Sequence, residues 1–213
     1  MMHAYDETYV EKARTALGRM LDFAVYDMKF ELPAYWNLFL TSGVARRFGE
    51  GDFTLTVGKS GIEIAYTVLD ESGLCVRRIT PCHTRNRSEE YWTGWALAWY
   101  QWEKALPFQA ITCLVPIEEI QQLYSPYHEM DIRQFADRMD EKCREAQKNT
   151  RLKQMRMRAG YSQQKLADMA GIPLRTLQQY EQKQKNINKV RAEYVIRLSQ
   201  VLGCGTDELI EYW

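Results

Sequence analysis

Arg175, Thr176, Gln178 and Gln179 crowd into one short stretch, and they are side-chain types that read nucleic-acid bases. Arginine offers paired hydrogen bonds to guanine, glutamine offers them to adenine, and threonine can touch a thymine methyl or a phosphate. Leu177 and Tyr180 fall at helical spacing, which leaves the polar four on the opposite face. No acid stands between Asp168 and Glu181, so nothing on that face repels a polyanion. A helix of this size fits the major groove of double-stranded DNA.

The neighbouring elements must hold that helix. Thr150 can cap a helix carrying Leu152, Met155 and Ala159, which Gly160 closes. Ser162 caps a second run with Leu166, Ala167 and Ala170 inward, and Gly171 ends it. Pro173 suits the first turn of a third helix, where its missing N–H costs nothing. The expected result is two short helices joined by a tight turn, then the helix that carries Arg175 and Gln179.

The stretch from about Thr150 to Glu211 resembles the helix-turn-helix domain of the Cro and phage-repressor type, the XRE family. The residues that carry the likeness are "LKQMRMRAGYSQQKLADMAGIPLRTLQQYE" and then "YVIRLSQVLGCGTDELI", which would form the last two of five helices. The resemblance implies that Leu174, Arg175 and Gln179 face bases. Gln163, Gln164, Thr176 and Gln178 would then touch the DNA backbone or flanking bases, Gln163 aided by a helix N-terminus. It also implies a small core of Leu152, Leu166, Ala167, Ile172, Leu177, Ile196, Leu198 and Leu202. The sequence departs from the family after Glu181, where Lys183 replaces a usual glycine and the connection is about three residues longer. Lys183, Lys185 and Lys189, with Asn186 and Asn188, suit phosphate contacts, which add affinity without sequence information. A solvated loop is the other reading of that stretch.

Other constellations carry less chemistry. "VGKS" (Val57 to Ser60) imitates the end of a phosphate-binding loop, but the required glycine five residues before Gly58 is Phe53. Cys82 and His83 are adjacent and nothing joins them at ligand spacing, so no metal is assigned. His128, Glu129 and Asp131 read as a helix start rather than acid–base machinery. Trp92, Trp95, Trp99 and Trp102 follow a 3-4-3 spacing that sets all four on one helical stripe. Such a stripe is either domain core or a partner interface.

The rest of the first 147 residues reads as mostly helical. Thr8 and Glu11 suggest a capping box before a helix with Ala13, Ala16, Leu17, Met20, Leu21 and Ala24 inward. A second helix is expected over residues 33–48, then a strand or turn in "FTLTV", then a helix from about Gly61 to Leu69. Strand-like runs follow at residues 73–80 and in "FQAITCLVP". A helix beginning at Pro116 carries Ile117, Ile120 and Leu123 and is broken by Pro126. One from about Asp131 carries Ile132, Phe135 and Met139, and its polar end leads into the tail.

Whole-chain composition bounds these readings. With 46% hydrophobic and 26% charged among 213 residues, the chain is an ordinary globular one with length for one large or two modest domains. The net charge of zero hides a split: twelve Lys and Arg against six Asp and Glu from Lys148 onward, and sixteen against twenty-two before it. The basic part is expected to meet a polyanion. Five scattered cysteines without a CxxC pair indicate neither a disulfide framework nor a zinc site, and partly buried reduced thiols are expected. No membrane-length apolar run is present, so a cytoplasmic protein is expected, without cofactor or membrane partner.

The expectation is a mainly α protein with an acidic, aromatic-rich region over residues 1–147, with room for short strands, and a five-helix DNA-binding domain over 148–213. The leading function is a transcriptional regulator, not an enzyme, repressing from a palindromic operator as a homodimer. Two other classes stand beside it. One is an antitoxin whose first region neutralises a cognate toxin, and the other is an enzyme domain tethered to DNA.

Overall fold

The computed structural model describes residues 3–82 and 87–211; His83 lies outside them. The chain divides into two compact units, residues 1–143 and 144–213. The first runs through α1 (Val10–Asp22), α2 (Leu32–Thr41), α3 (Val44–Gly49), α4 (Phe53–Thr56), α5 (Gly61–Glu71), α6 (Glu89–Lys104), α7 (Phe108–Leu114), α8 (Ile117–Gln121), α9 (Tyr124–Tyr127) and most of α10 (Ile132–Lys148). The second holds α11 (Arg151–Arg158), α12 (Gln163–Ala170), α13 (Leu174–Glu181) and α14 (Ala192–Leu202), with 3-10 turns at Ile187–Lys189 and Asp207–Leu209. Every regular element among the described residues is helical, so the short strands are not there.

In the first unit α1 and α6 cross at the centre. All six apolar residues expected inward on the first helix are buried, five on α1 and Ala24 just past its end. Gly18 and Gly94 bring the two backbones together: a Cβ on Gly94 would lie 2.7 Å from the Leu17 carbonyl oxygen, and one on Gly18 would lie 2.7 Å from that of Tyr91. With α8 and α9 packed on it as well, α6 is buried on nearly all sides. The tryptophan stripe therefore divides. Trp92 and Trp102 are core, at 8% and 7% exposure, and offer no partner surface. Trp102 donates from Nε1 to the Tyr5 carbonyl at 2.7 Å. Trp95 and Trp99 are partly buried, and the Arg14 guanidinium stacks 3.3 Å over the Trp95 ring.

Several local expectations change. The first cap is Asp6, whose carboxylate accepts from the Thr8 N–H at 2.9 Å and opens a 3-10 turn, while Glu11 pairs with Arg14 instead. The helix expected over residues 33–48 is two helices, because Gly43 adopts φ +82° and turns the chain. Of the strand or turn expected in "FTLTV", the turn is what forms, helical and capped by Asp52. "FQAITCL" is α7: Phe108, Ile111 and Val115 recur at 3-4 spacing and all three are buried, so packing overrides the β-branched composition. Residues 74–82 form no regular element, and Cys75 and Cys82 there are exposed rather than partly buried.

The second unit closes on Leu152, Leu166, Ala167, Ala170, Ile172, Leu177, Tyr180, Ile187, Val195, Leu198 and Leu209. Ile196, expected in that core, is 47% exposed, and Val195 takes its place. Val195, Leu198 and Leu202 recur at 3-4 spacing, which turns Ile196 about 100° off the stripe. The fifth helix reduces to the 3-10 turn at Asp207–Leu209, where one side chain, Leu209, is fully buried.

Candidate nucleic-acid interface

Local sequence sets the path from α12 to α13. The Ser162 hydroxyl accepts from the Lys165 N–H at 3.1 Å and caps α12. Gly171, at φ +62°, ends it, and the Ile172 N–H returns to the Ala167 carbonyl at 2.9 Å. Ile172 enters the core and Pro173 stands at the N-cap of α13, so the turn between the helices is three residues long.

α13 is amphipathic across its whole length. Leu177 and Tyr180 are buried, while Arg175 is exposed and forms no ion pair with a described residue. Thr176, Gln178 and Gln179 are partly exposed beside it. Leu174, expected among the base-facing residues, packs in part on the core. The face can therefore present one guanidinium and two carboxamides to a ligand without breaking an existing bond of Arg175.

A buried polar network holds this helix to the other two. Glu181, its side chain 1% exposed, receives Arg156 in a two-point ion pair, Nε to Oε1 at 2.6 Å and Nη2 to Oε2 at 2.9 Å. Arg156 also donates to the Tyr161 carbonyl at 2.7 Å, and its hydrogen bonds to Glu181 raise its pKa above the ordinary arginine value. Gln163 donates from Nε2 to Glu181 Oε2 at 2.7 Å and accepts from Gln178 Nε2 at 3.4 Å. In this state the Gln163 amide faces inward on the network. Gln164 donates to Asp168 within α12.

The loop after α13 is ordered by bonds to the helix end. Lys183 takes φ +57°, a left-handed conformation that favours glycine, and its N–H returns to the Tyr180 carbonyl. The Lys185 N–H returns to the Gln179 carbonyl at 3.1 Å. Lys183, Lys185 and Lys189 are exposed, and Lys183 follows the carbonyl end of α13 by two residues, where a cation is favourable. The Asn186 side chain caps the Ile187–Lys189 turn by accepting from the Asn188 N–H at 2.8 Å. Asn188 bonds the Glu211 backbone at two points, so it is tied into the fold rather than free for phosphate.

Sequence reading missed the Arg156–Glu181 pair and the Asn188–Glu211 contact. A signal for the first was available: Glu181 lies four residues after Leu177, on the buried stripe, and a carboxylate there needs a buried cation. The second joins residues 23 apart, with the whole of α14 between them, and no local pattern announces it.

In the first unit, "VGKS" borders a recess of about 540 Å³ lined by Lys12, Arg19, Lys59 and Ser60. The two polar side chains of "VGKS" are already engaged: the Lys59 amine donates to the Thr67 hydroxyl, and Ser60 and Glu63 close a capping box on α5. Among the described residues no three His, Cys, Asp or Glu side chains are grouped to hold a metal, and no helix is long and apolar enough to cross a membrane.

Residues 152–209 match a family model described as helix-turn-helix. No curated protein and no solved structure matches the chain.

Proposed function

With residues 152–209 a helix-turn-helix domain of the DNA-binding, regulatory kind, we propose that the protein binds double-stranded DNA sequence-specifically and represses transcription by occupying a palindromic operator as a homodimer. The observation that carries this reading is the exposed face of α13, where Arg175 forms no ion pair with a described residue and stands beside Gln178 and Gln179. Arg175 reads guanine and Gln179 reads adenine, while Lys185 and Lys189 take phosphates. A single module of this size contacts few base pairs, so two copies on half-sites about 34 Å apart supply the specificity. Residues 1–143 then serve assembly or partner binding and carry out no covalent chemistry. Support for that role comes from Leu74, Val76 and Ile79, three exposed apolar side chains in one irregular stretch.

The test is fluorescence anisotropy of the protein on duplex DNA from upstream of its own gene against a scrambled duplex, across salt. Tight binding that separates the two is expected. Arg175→Ala and Gln179→Ala should each cost about 1–3 kcal/mol on the cognate duplex and narrow the discrimination. Equal weak binding to both duplexes, unchanged in the variants, would remove α13 as a base reader.

A further inference from the structure

The lysine loop after α13 is longer than the family pattern and carries its cations on backbone that has to be held somewhere. At its first end the helix C-terminus holds it, through the returns of Lys183 and Lys185 to the Tyr180 and Gln179 carbonyls. At its far end Ile187 is buried in the core, and Asn188 is bonded at two points to the backbone of Glu211. Asn188 Nδ2 donates to the Glu211 carbonyl at 2.5 Å, and the Glu211 N–H donates to Asn188 Oδ1 at 2.9 Å. Glu211 is in turn fixed, because its carboxylate accepts from the Arg151 N–H at 2.7 Å, one of the orphan amides at the start of α11. The Arg151 guanidinium donates to the Asp207 carbonyl at 3.2 Å on the turn before it.

We infer that Asn188, through this clamp on Glu211, is a positioning residue for DNA binding: it sets where Lys189 and Lys185 stand relative to the recognition face of α13. This rests on the reading of the domain as a DNA binder. The Asn188 carboxamide uses one donor and one acceptor on a single residue's backbone, which fixes both position and direction of the loop. Lys189 is the next residue, exposed and without an ion pair to any described residue, and Lys185 precedes the anchored Ile187 by two. A cation held in place keeps its phosphate contact without first losing the freedom of a loose loop, whereas on a slack loop that ordering is charged against binding. The bonds that tie Asn188 to Glu211, and Glu211 to the Arg151 N–H, involve no residue of the base-reading face, so the clamp governs grip and leaves discrimination alone.

The experiment measures binding of full-length protein to a fluorescein-labelled random-sequence duplex, and to the cognate duplex, across a salt series. Wild type, Asn188→Ala, Lys189→Ala and the double variant are compared at a temperature where circular dichroism shows each fully folded. Each phosphate contact contributes about −0.9 to the slope of log affinity against log salt. Asn188→Ala is expected to flatten that slope by about one contact, to weaken both duplexes by the same factor, and to lose little more when Lys189→Ala is added. A residue that only stabilised the fold would leave the slope of the folded protein unchanged, and a wild-type slope in Asn188→Ala overturns the inference. Should Asn188→Ala not fold, Asn188→Asp keeps the acceptor for the Glu211 N–H and removes the donor, and is read by the same slope. Failure of both to fold would make Asn188 a folding residue and also overturn it. Absence of salt-dependent binding in wild type would instead sink the DNA-binding reading itself.

Discussion

α6 and α13 both carry a run of like side chains at helical spacing, and they use it in opposite ways. On α6 the run is tryptophan, and two of the four rings lie inside the core while the other two are partly covered. On α13 the run is Arg, Thr and Gln, and it stays at the surface because Leu177 and Tyr180 already anchor the helix. Spacing told which residues share a face in both cases; hydrophobicity told which face is spent on folding. The two helices are also held differently. α6 is held by close backbone approach through Gly18 and Gly94, in a unit rich in aromatic side chains, and α13 by a small aliphatic core and one buried ion pair.

The strongest way to break this contrast is Glu181→Ala. It leaves the Arg156 guanidinium partly buried without its counter-ion and Gln163 without its acceptor. Removing one partner of a buried pair costs about 3–5 kcal/mol, a large share of what a domain of this size possesses. Hydrogen exchange of peptides from residues 150–211 should lose protection, and DNA binding should fall with it. Replacing the pair together, Arg156→Met with Glu181→Leu, should recover much of the stability, because no charge is left stranded. Undiminished protection in Glu181→Ala would show that the aliphatic core alone holds α13.

Gly94→Ala tests the other helix, and its sign is the informative part. At an exposed helical site alanine is favoured over glycine by roughly 0.5–1 kcal/mol. Here the added Cβ would meet the Leu17 carbonyl oxygen at 2.7 Å and the Gly18 Cα at 2.9 Å, both backbone atoms. Overpacking of that kind costs about 1–3 kcal/mol, so urea unfolding followed by tryptophan emission should shift to lower denaturant. A stabilised variant would mean that α1 and α6 do not cross so closely.

What the sequence revealed, and what it hid, follows the range of the interactions. Caps at Thr150 and Ser162, the turn at Gly171 and the buried stripe of α1 depend on residues within one or two turns, and these were legible. The same local signals misled where two of them conflicted. In "FQAITCLVP" β-branched composition argued for a strand while Phe108, Ile111 and the capping Val115 kept helical spacing, and tertiary burial decided for the spacing. The single helix expected over residues 33–48 is divided at Gly43, whose positive φ turns the chain. Among the proposed contact residues on α13, periodicity set Arg175, Thr176, Gln178 and Gln179 on the face away from Leu177 and Tyr180, whereas Leu174 came from the family resemblance alone and packs in part on the core. The inward turn of Gln163 depends instead on Glu181, 18 residues away, and no pattern in the intervening chain encodes it.

Lys183→Gly should have the smallest effect, and it sharpens the comparison by separating fold from grip at one position. Lys183 sits at φ +57°, where a side chain with a Cβ is disfavoured by about 1–2 kcal/mol. Glycine relieves that strain but adds freedom to the unfolded chain, so the net gain is expected to be about 1 kcal/mol or less. The substitution also removes an exposed cation close to the end of α13. Thermal stability should therefore rise slightly while non-specific DNA affinity falls and its salt slope flattens by about one contact. Opposite movements of stability and affinity would show that the lysine is kept for binding at a small cost to folding. A fall in both would mean that its side chain supports the fold, and a rise in stability with unchanged DNA affinity would take Lys183 out of the interface.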